Sequence, residues 1–224
     1  MSESRRKPVQ RRSRERVELI LRTAAELVVE KGVDGVTTKE IAVRAEIPPS
    51  AIYGYFDGVD EIVGELVTRN LTRLDNEVLE RLNHVERVNM RVLISALSDS
   101  YTDFHRERPE NIPIWFSGGR SQVVRDKIDA QIHGMASWLS YVSVTAKFVK
   151  APIPVDRIEL LVSTFNHVFE YLFEHDYSDA GRAEAVKAYT EMIANYVELG
   201  ATEAGIEGIP TADFIALITQ GEQT

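Results

Sequence analysis

The stretch "PSAIYGYF", residues 49–56, groups side chains suited to one kind of contact. The hydroxyls of Tyr53 and Tyr55 can donate to phosphate oxygens. Pro49, Ser50, Ala51 and Gly54 are small and uncharged. A helix carrying them can approach base edges closely in a major groove, where an alanine methyl can touch a thymine methyl. Catalytic chemistry has no comparable constellation. The five histidines (His84, His105, His133, His167, His175) show no metal-ligand spacing, and there is no Gly-rich phosphate loop and no Gly-x-Ser-x-Gly. With no cysteine, disulfides, thiolate metal sites and a cysteine nucleophile are excluded. Glu174, His175 and Asp176 are neighbours at a helix end and so do not face one another. No enzyme, no metal site and no cofactor is expected.

The elements that must position the short stretch follow from periodicity. Val17, Ile20, Leu21, Ala24, Ala25 and Val28 form one helical stripe, and Gly32 after Lys31 is a stop. Thr37 with Glu40 fits a capping box opening a second helix through Ala45, with Ile41, Ala42 and Ala45 inward. Pro48-Pro49 marks a turn and starts a third helix, 49–55. Ile52 and Phe56 share its inner face, while Ser50, Tyr53 and Gly54 lie on another. Two short helices joined by a turn and braced by a longer one make a helix-turn-helix. A fourth, long helix is expected over 59–82. Further helices are expected near 88–107, 120–149, 155–175, 181–199 and 211–219, with an irregular element at 109–117. Pro109, Gly118-Gly119, "APIP" and "DYSDAG" punctuate them. There is no hairpin signal and no repeat.

The expected fold is therefore all-α. An N-terminal three-helix helix-turn-helix domain (14–60) follows a disordered basic arm (1–13) and precedes a C-terminal helical bundle (61–224). No run of apolar residues is long enough to cross a membrane, so a cytoplasmic location is expected. The net charge of −9 is unevenly spread: residues 1–58 carry +2 and residues 59–224 carry −11. Seven of the basic groups fall within residues 1–16, Arg11, Arg12 and Arg14 among them. The arm reads either as a solvated tail or as a DNA-contacting segment. A nonspecific chromatin-like binder is disfavoured, since such affinity rests on cations and the body is acidic.

Residues 14 to 66 resemble the DNA-binding domain of TetR-type transcriptional regulators. The matching features are "ILRTAAELVVEKGVDGVT", "TTKEIAVRAEI", "SAIYGYF" and "VDEIV" at the start of a long helix. The whole-chain layout matches too. The resemblance implies a homodimer bound to a palindromic operator in double-stranded DNA. Repression is the usual mode, and a small hydrophobic or amphipathic effector in the C-terminal domain releases the DNA. It assigns Thr38, at the start of helix 2, to a phosphate contact, with Lys39 reaching a phosphate or a base. Pro49, Ser50 and Ala51 would open the reading helix. Tyr53 and Tyr55 match the aromatic pair that touches the DNA backbone, with Gly54 between them. Tyr55 packing against helix 1 is the competing reading for that residue. Three departures remove contacts: Pro48-Pro49 replaces Ser-Lys, Val59 replaces Lys, and Gly54 replaces a larger residue. Phosphate affinity then falls to Lys39, Arg44, helix N-termini and the arm.

Residues 101–177 hold 12 of the 18 aromatics. Asn166 and His167 interrupt an apolar run, and buried polar groups need partners. A ligand pocket is expected near Trp115, Phe116, Trp138, Tyr141, Phe165, Asn166 and Phe169. The resemblance places the homodimer contact on helices 155–175 and 181–199. Their wide apolar faces run from Ile158 through Phe169 to Leu172 and from Ala185 through Met192 to Val197. The alternative to a regulator is a small helical enzyme or ligand-binding protein with a vestigial DNA-binding head.

Overall fold

The computed structural model describes residues 3–108, 111–117 and 122–221. The expected breaks at Pro109 and Gly118-Gly119 lie outside them. The described chain is helical apart from one pair of two-residue strands. Its helices are α1 (Glu3–Lys31), α2 (Thr38–Arg44), α3 (Pro49–Ile52), α4 (Val59–Asn83), α5 (Met90–Glu107), α6 (Asn111–Ser117), α7 (Gln122–Thr145), α8 (Val155–Glu174), α9 (Asp179–Glu198), α10 (Glu203–Glu207) and α11 (Thr211–Gly221). None of the described helices is long and apolar enough to cross a membrane. The chain divides into two compact units, one of residues 1–71 and 108–128, the other of residues 72–107 and 129–224.

This division corrects the expected boundary at residue 60. The first thirteen residues of α4, all of α6 and the start of α7 belong with the helix-turn-helix. The reason is apolar burial. Ile114 of α6 and Val124 of α7 join the same core as Ile20, Leu27, Ile41, Ile52, Ile62 and Val67. A buried polar pair, Asn70 Nδ2 donating to Asn111 Oδ1 at 2.6 Å, ties α6 to α4. The expected disordered arm is also corrected: α1 begins at Glu3, eleven residues before the expected helix-turn-helix boundary. Five of the arm's thirteen residues are Arg or Lys, which are good helix formers, and elongating an existing helix avoids the cost of nucleation. Arg11 and Glu15, one turn apart, add an ion pair at 3.4 Å.

In the second unit α5 packs along α9. Leu82, Met90, Leu93, Val142, Phe148 and Phe214 are among its core residues. The C-terminal segment is held by contacts with no local signal. β1 (Arg87–Val88) pairs antiparallel with β2 (Ile209–Pro210), about 120 residues away in sequence. Asn89 Nδ2 donates to the Ile206 carbonyl at 2.7 Å, and Thr211 N donates to that of Glu86 at 3.1 Å. Gly205 sits so close to the chain at Phe148 that a Cβ would lie 2.0 Å from the carbonyl oxygen, so only glycine fits.

Candidate nucleic-acid interface and apolar cavity

The helix-turn-helix is built from local chemistry. Thr37 and Glu40 form the capping box: Glu40 N donates to Thr37 Oγ1 at 3.2 Å, and Thr37 N donates to Glu40 Oε2 at 3.1 Å. The turn after α2 is a Schellman motif. Ile47 N donates to the Ala42 carbonyl and Glu46 N to that of Val43, with Glu46 at φ +54°. The turn therefore lies one residue before the prolines, which open α3 as expected. Ile52 and Phe56 are buried and anchor α3. Helical geometry stops at Ile52 rather than at the expected Tyr55, and Tyr53 caps it.

That capping position fixes the tyrosines. Tyr53 is 57% exposed and Tyr55 38%, so neither is committed to the core. Tyr53 Oη lies 3.1 Å from Thr38 Oγ1, at the first residue of α2. One proton suffices for that contact, so the second hydroxyl proton is left to donate outward. Lys39, Pro49, Ser50 and Gly54 are exposed beside them, and Ala51 is half-buried. Gly54 has no special backbone need: a Cβ there would meet only the Ala51 carbonyl, at 3.6 Å.

The cations are less free than the sequence suggests. Arg44 binds Glu30 through both terminal nitrogens, and its guanidinium holds the Glu30 carboxyl below its ordinary pKa. Lys31 does the same for Glu40. Arg69 is engaged by Glu65 and Glu18. Arg44 thus loses much of its expected phosphate role. Arg11, Arg12 and Arg14 remain exposed on α1, alongside Lys39.

The second unit contains a cavity of about 540 Å³, lined from α4, α5, α7, α8, α9 and α11. That volume is within the ~300–1,000 Å³ range of small-molecule sites. Of the expected residues, Trp138 and Phe165 line it. Tyr141 is about half exposed, Asn166 is half-buried on α8, and neither is among the described lining residues. Phe169 is buried behind Phe165, their ring centroids 5.7 Å apart. Trp115 and Phe116 belong to α6 in the first unit, and their side chains lie outside what is described. Met90, Ile94, Leu97, Ser98 and Tyr101 on α5 also line it, on one helical stripe whose spacing does not by itself tell a cavity wall from a core face. Ile215 and Ile218 of α11 complete this part of the lining.

The expected dimer faces are corrected as well. Ile158, Phe169, Leu172 and Val197 are buried within the chain's own core. The exposed stripes are instead Leu160, Thr164, His167 and Tyr171 on α8 and Ala188, Met192 and Tyr196 on α9, continued by Leu199 at its C-cap. Both helices were wide enough in apolar residues to serve two faces, and periodicity alone does not say which one packs inward. Among the described residues, no group of three or more His, Asp or Glu is placed to hold a metal ion.

Comparison with known proteins bears on this head directly. Residues 20–66 match the family model for bacterial regulatory proteins of the tetR family. Over these residues the chain resembles that family. A relative in Bacillus subtilis (strain 168), the uncharacterized HTH-type transcriptional regulator YobS, is 28% identical over 113 residues. That match spans 49% of this chain and 58% of the relative, so a little over half the relative's length is covered. Among solved structures, the fatty acid degradation regulator FadR from Bacillus halodurans superposes with a TM-score of 0.66 at 15% identity, over 80% of this chain and 94% of that one. A TetR-family transcriptional regulator from Streptomyces coelicolor gives 0.59 at 22% identity, over 82% and 96%. At these identities the TetR-type fold is shared across both units, and nothing finer is carried over.

Proposed function

We propose that the protein is a cytoplasmic repressor that binds a palindromic operator as a homodimer and releases it when a small, largely apolar effector occupies the cavity of the second unit. The observation that carries this reading is the combination of an exposed hydroxyl pair, Thr38 and Tyr53, on a helix-turn-helix head with a large apolar cavity elsewhere in the same chain. Thr38, Lys39, Tyr53 and Tyr55 contact phosphates, and Pro49, Ser50, Ala51 and Gly54 approach base edges. Arg11, Arg12 and Arg14 supply the cations that the reading helix lacks. Two copies meet through the exposed stripes of α8 and α9, where Leu160, Met192 and Leu199 are 66%, 56% and 82% exposed. Large exposed apolar side chains grouped on two helices are a signature of association surfaces, and a two-fold contact presents the same stripes from both copies.

The test is selection of bound duplexes from a random pool, with Tyr53→Ala alongside. A consensus of two inverted half-sites, lost in the variant, is expected. A single unrepeated half-site would overturn the dimeric operator, and a consensus retained in full by Tyr53→Ala would overturn the assigned contact.

A further inference from the structure

The polar groups inside the cavity are few, and their hydrogen bonds can be followed one by one. Thr190 has a single hydroxyl proton, which it donates to the Val186 carbonyl at 2.8 Å. The 2.6 Å contact between Thr190 Oγ1 and Ser98 Oγ must therefore use the proton of Ser98. Ser98 is left as an acceptor only. Tyr101 stands three residues further along α5, on the same face. It lines the same cavity, is 7% exposed, and its hydroxyl has no hydrogen-bond partner among the described residues. A buried hydroxyl without a partner destabilises a fold; its oxygen is closed off from the cavity in this structure, so a ligand group that relieves this cost reaches it through a small shift of the ring. Burial, and secondarily the charge of Glu170, pushes its pKa well above the ordinary value, so it remains a donor at physiological pH.

Most of the rest of the lining is hydrocarbon and aromatic, Ile94, Leu97, Trp138, Leu161 and Phe165 among it; its other neutral polar residues are Gln131, half-buried, and Asn83 and Thr219, both exposed. No Lys, Arg or His is among the described lining residues, and the carboxylate present, Asp75, is on an exposed position. A carboxylate or phosphate enclosed here would have no counter-charge, and burying an unpaired charge is far more costly than burying a hydroxyl. We propose that the effector is a neutral, mostly hydrocarbon molecule bearing a hydroxyl group, which accepts a hydrogen bond from Tyr101 and donates one to Ser98. The inference rests on the reading of this cavity as the effector site.

The experiment is calorimetric titration of the full chain at pH 7.5 with three probes of equal chain length: 1-decanol, decanoate and decylammonium. Tyr101→Phe is run in parallel. Decanol is expected to bind at least tenfold more tightly than decanoate, and Tyr101→Phe to weaken decanol about tenfold. The same variant should raise the melting temperature of the ligand-free protein, which also shows that it folds. Decanoate binding as tightly as decanol, or decanol binding unchanged in Tyr101→Phe, overturns hydroxyl recognition while leaving the cavity an effector site. Absence of binding by all three to the folded wild type removes both readings.

Discussion

The hydroxyl of Thr38, at the first turn of α2, lies 3.1 Å from that of Tyr53, which caps α3. The two residues are fifteen apart in sequence, and their contact ties the two short helices of the reading head together on the exposed side. Removing one hydroxyl leaves the other without its local partner, so the two should not act independently. Tyr53→Phe is expected to weaken DNA binding about tenfold regardless of sequence, the loss of one hydrogen bond to a charged group. Thr38→Val should cost a similar factor, and the double variant less than the product of the two. Fluorescence anisotropy with operator and scrambled duplexes measures this. Full multiplicativity would mean that the hydroxyls reach the backbone separately.

Gly54 lies between the two tyrosines, where a Cβ would make only an ordinary contact with the Ala51 carbonyl. Replacing it by lysine adds a cation to an uncharged reading face without a steric penalty. Gly54→Lys should tighten binding to all duplexes at low salt. In a dimer the two added contacts should steepen the slope of log K against log salt by about 2. An unchanged slope would place position 54 away from the phosphates.

His105 is 1% exposed, with Tyr101 and Phe104 against its ring at 4.4 and 5.2 Å. Burial lowers its pKa from 6.5 to about 3. The unfolded chain takes up this proton below pH 6.5, whereas the folded chain does not until near pH 3. Stability is therefore complete above pH 6.5 and is lost as the pH falls through that window. The expected loss between pH 7 and pH 5 is about 2 kcal/mol from this residue. Urea midpoints at the two pH values measure it, and His105→Leu should flatten the difference. An equal pH dependence in that variant would assign the effect to other groups.

Met192 projects from the exposed stripe of α9, beside Ala188 and Tyr196. A two-fold contact would bury it twice, so Met192→Glu places two like charges in one apolar interface. The dimer dissociation constant should rise at least a hundredfold, with the helical content of the monomer unchanged because the position is exposed within one chain. Sedimentation equilibrium reads the outcome, and a variant that stays dimeric at low micromolar concentration would move the contact elsewhere.

The reading head was legible in detail because its determinants are local. The Thr37–Glu40 capping box, the stop at Gly32 and the Ile52–Phe56 pair all act within one or two helical turns, the range over which periodicity and caps carry information. The turn at Glu46 was not legible. Its φ of +54° is set by the carbonyls of Ala42 and Val43 that it must satisfy, whereas its side chain gives no sign of that conformation. The cavity was half legible. Trp138 and Phe165 stood out as aromatics, but Ser98 and Tyr101 acquire their meaning only beside Thr190 and Phe165, residues at least sixty positions further along the chain.

The order of the long helices and the TetR-like head therefore follow from residue spacing, since each depends on hydrogen bonds and side chains a few positions apart; the short helices α6 and α10 do not. Three other features depend on long-range packing. These are the membership of α6 in the first unit, the pairing of Arg87–Val88 with Ile209–Pro210, and the choice of which faces of α8 and α9 turn inward. An amphipathic helix with two apolar faces has no local preference between them. Burial against particular neighbours makes that choice, and those neighbours are brought together only when the whole chain folds.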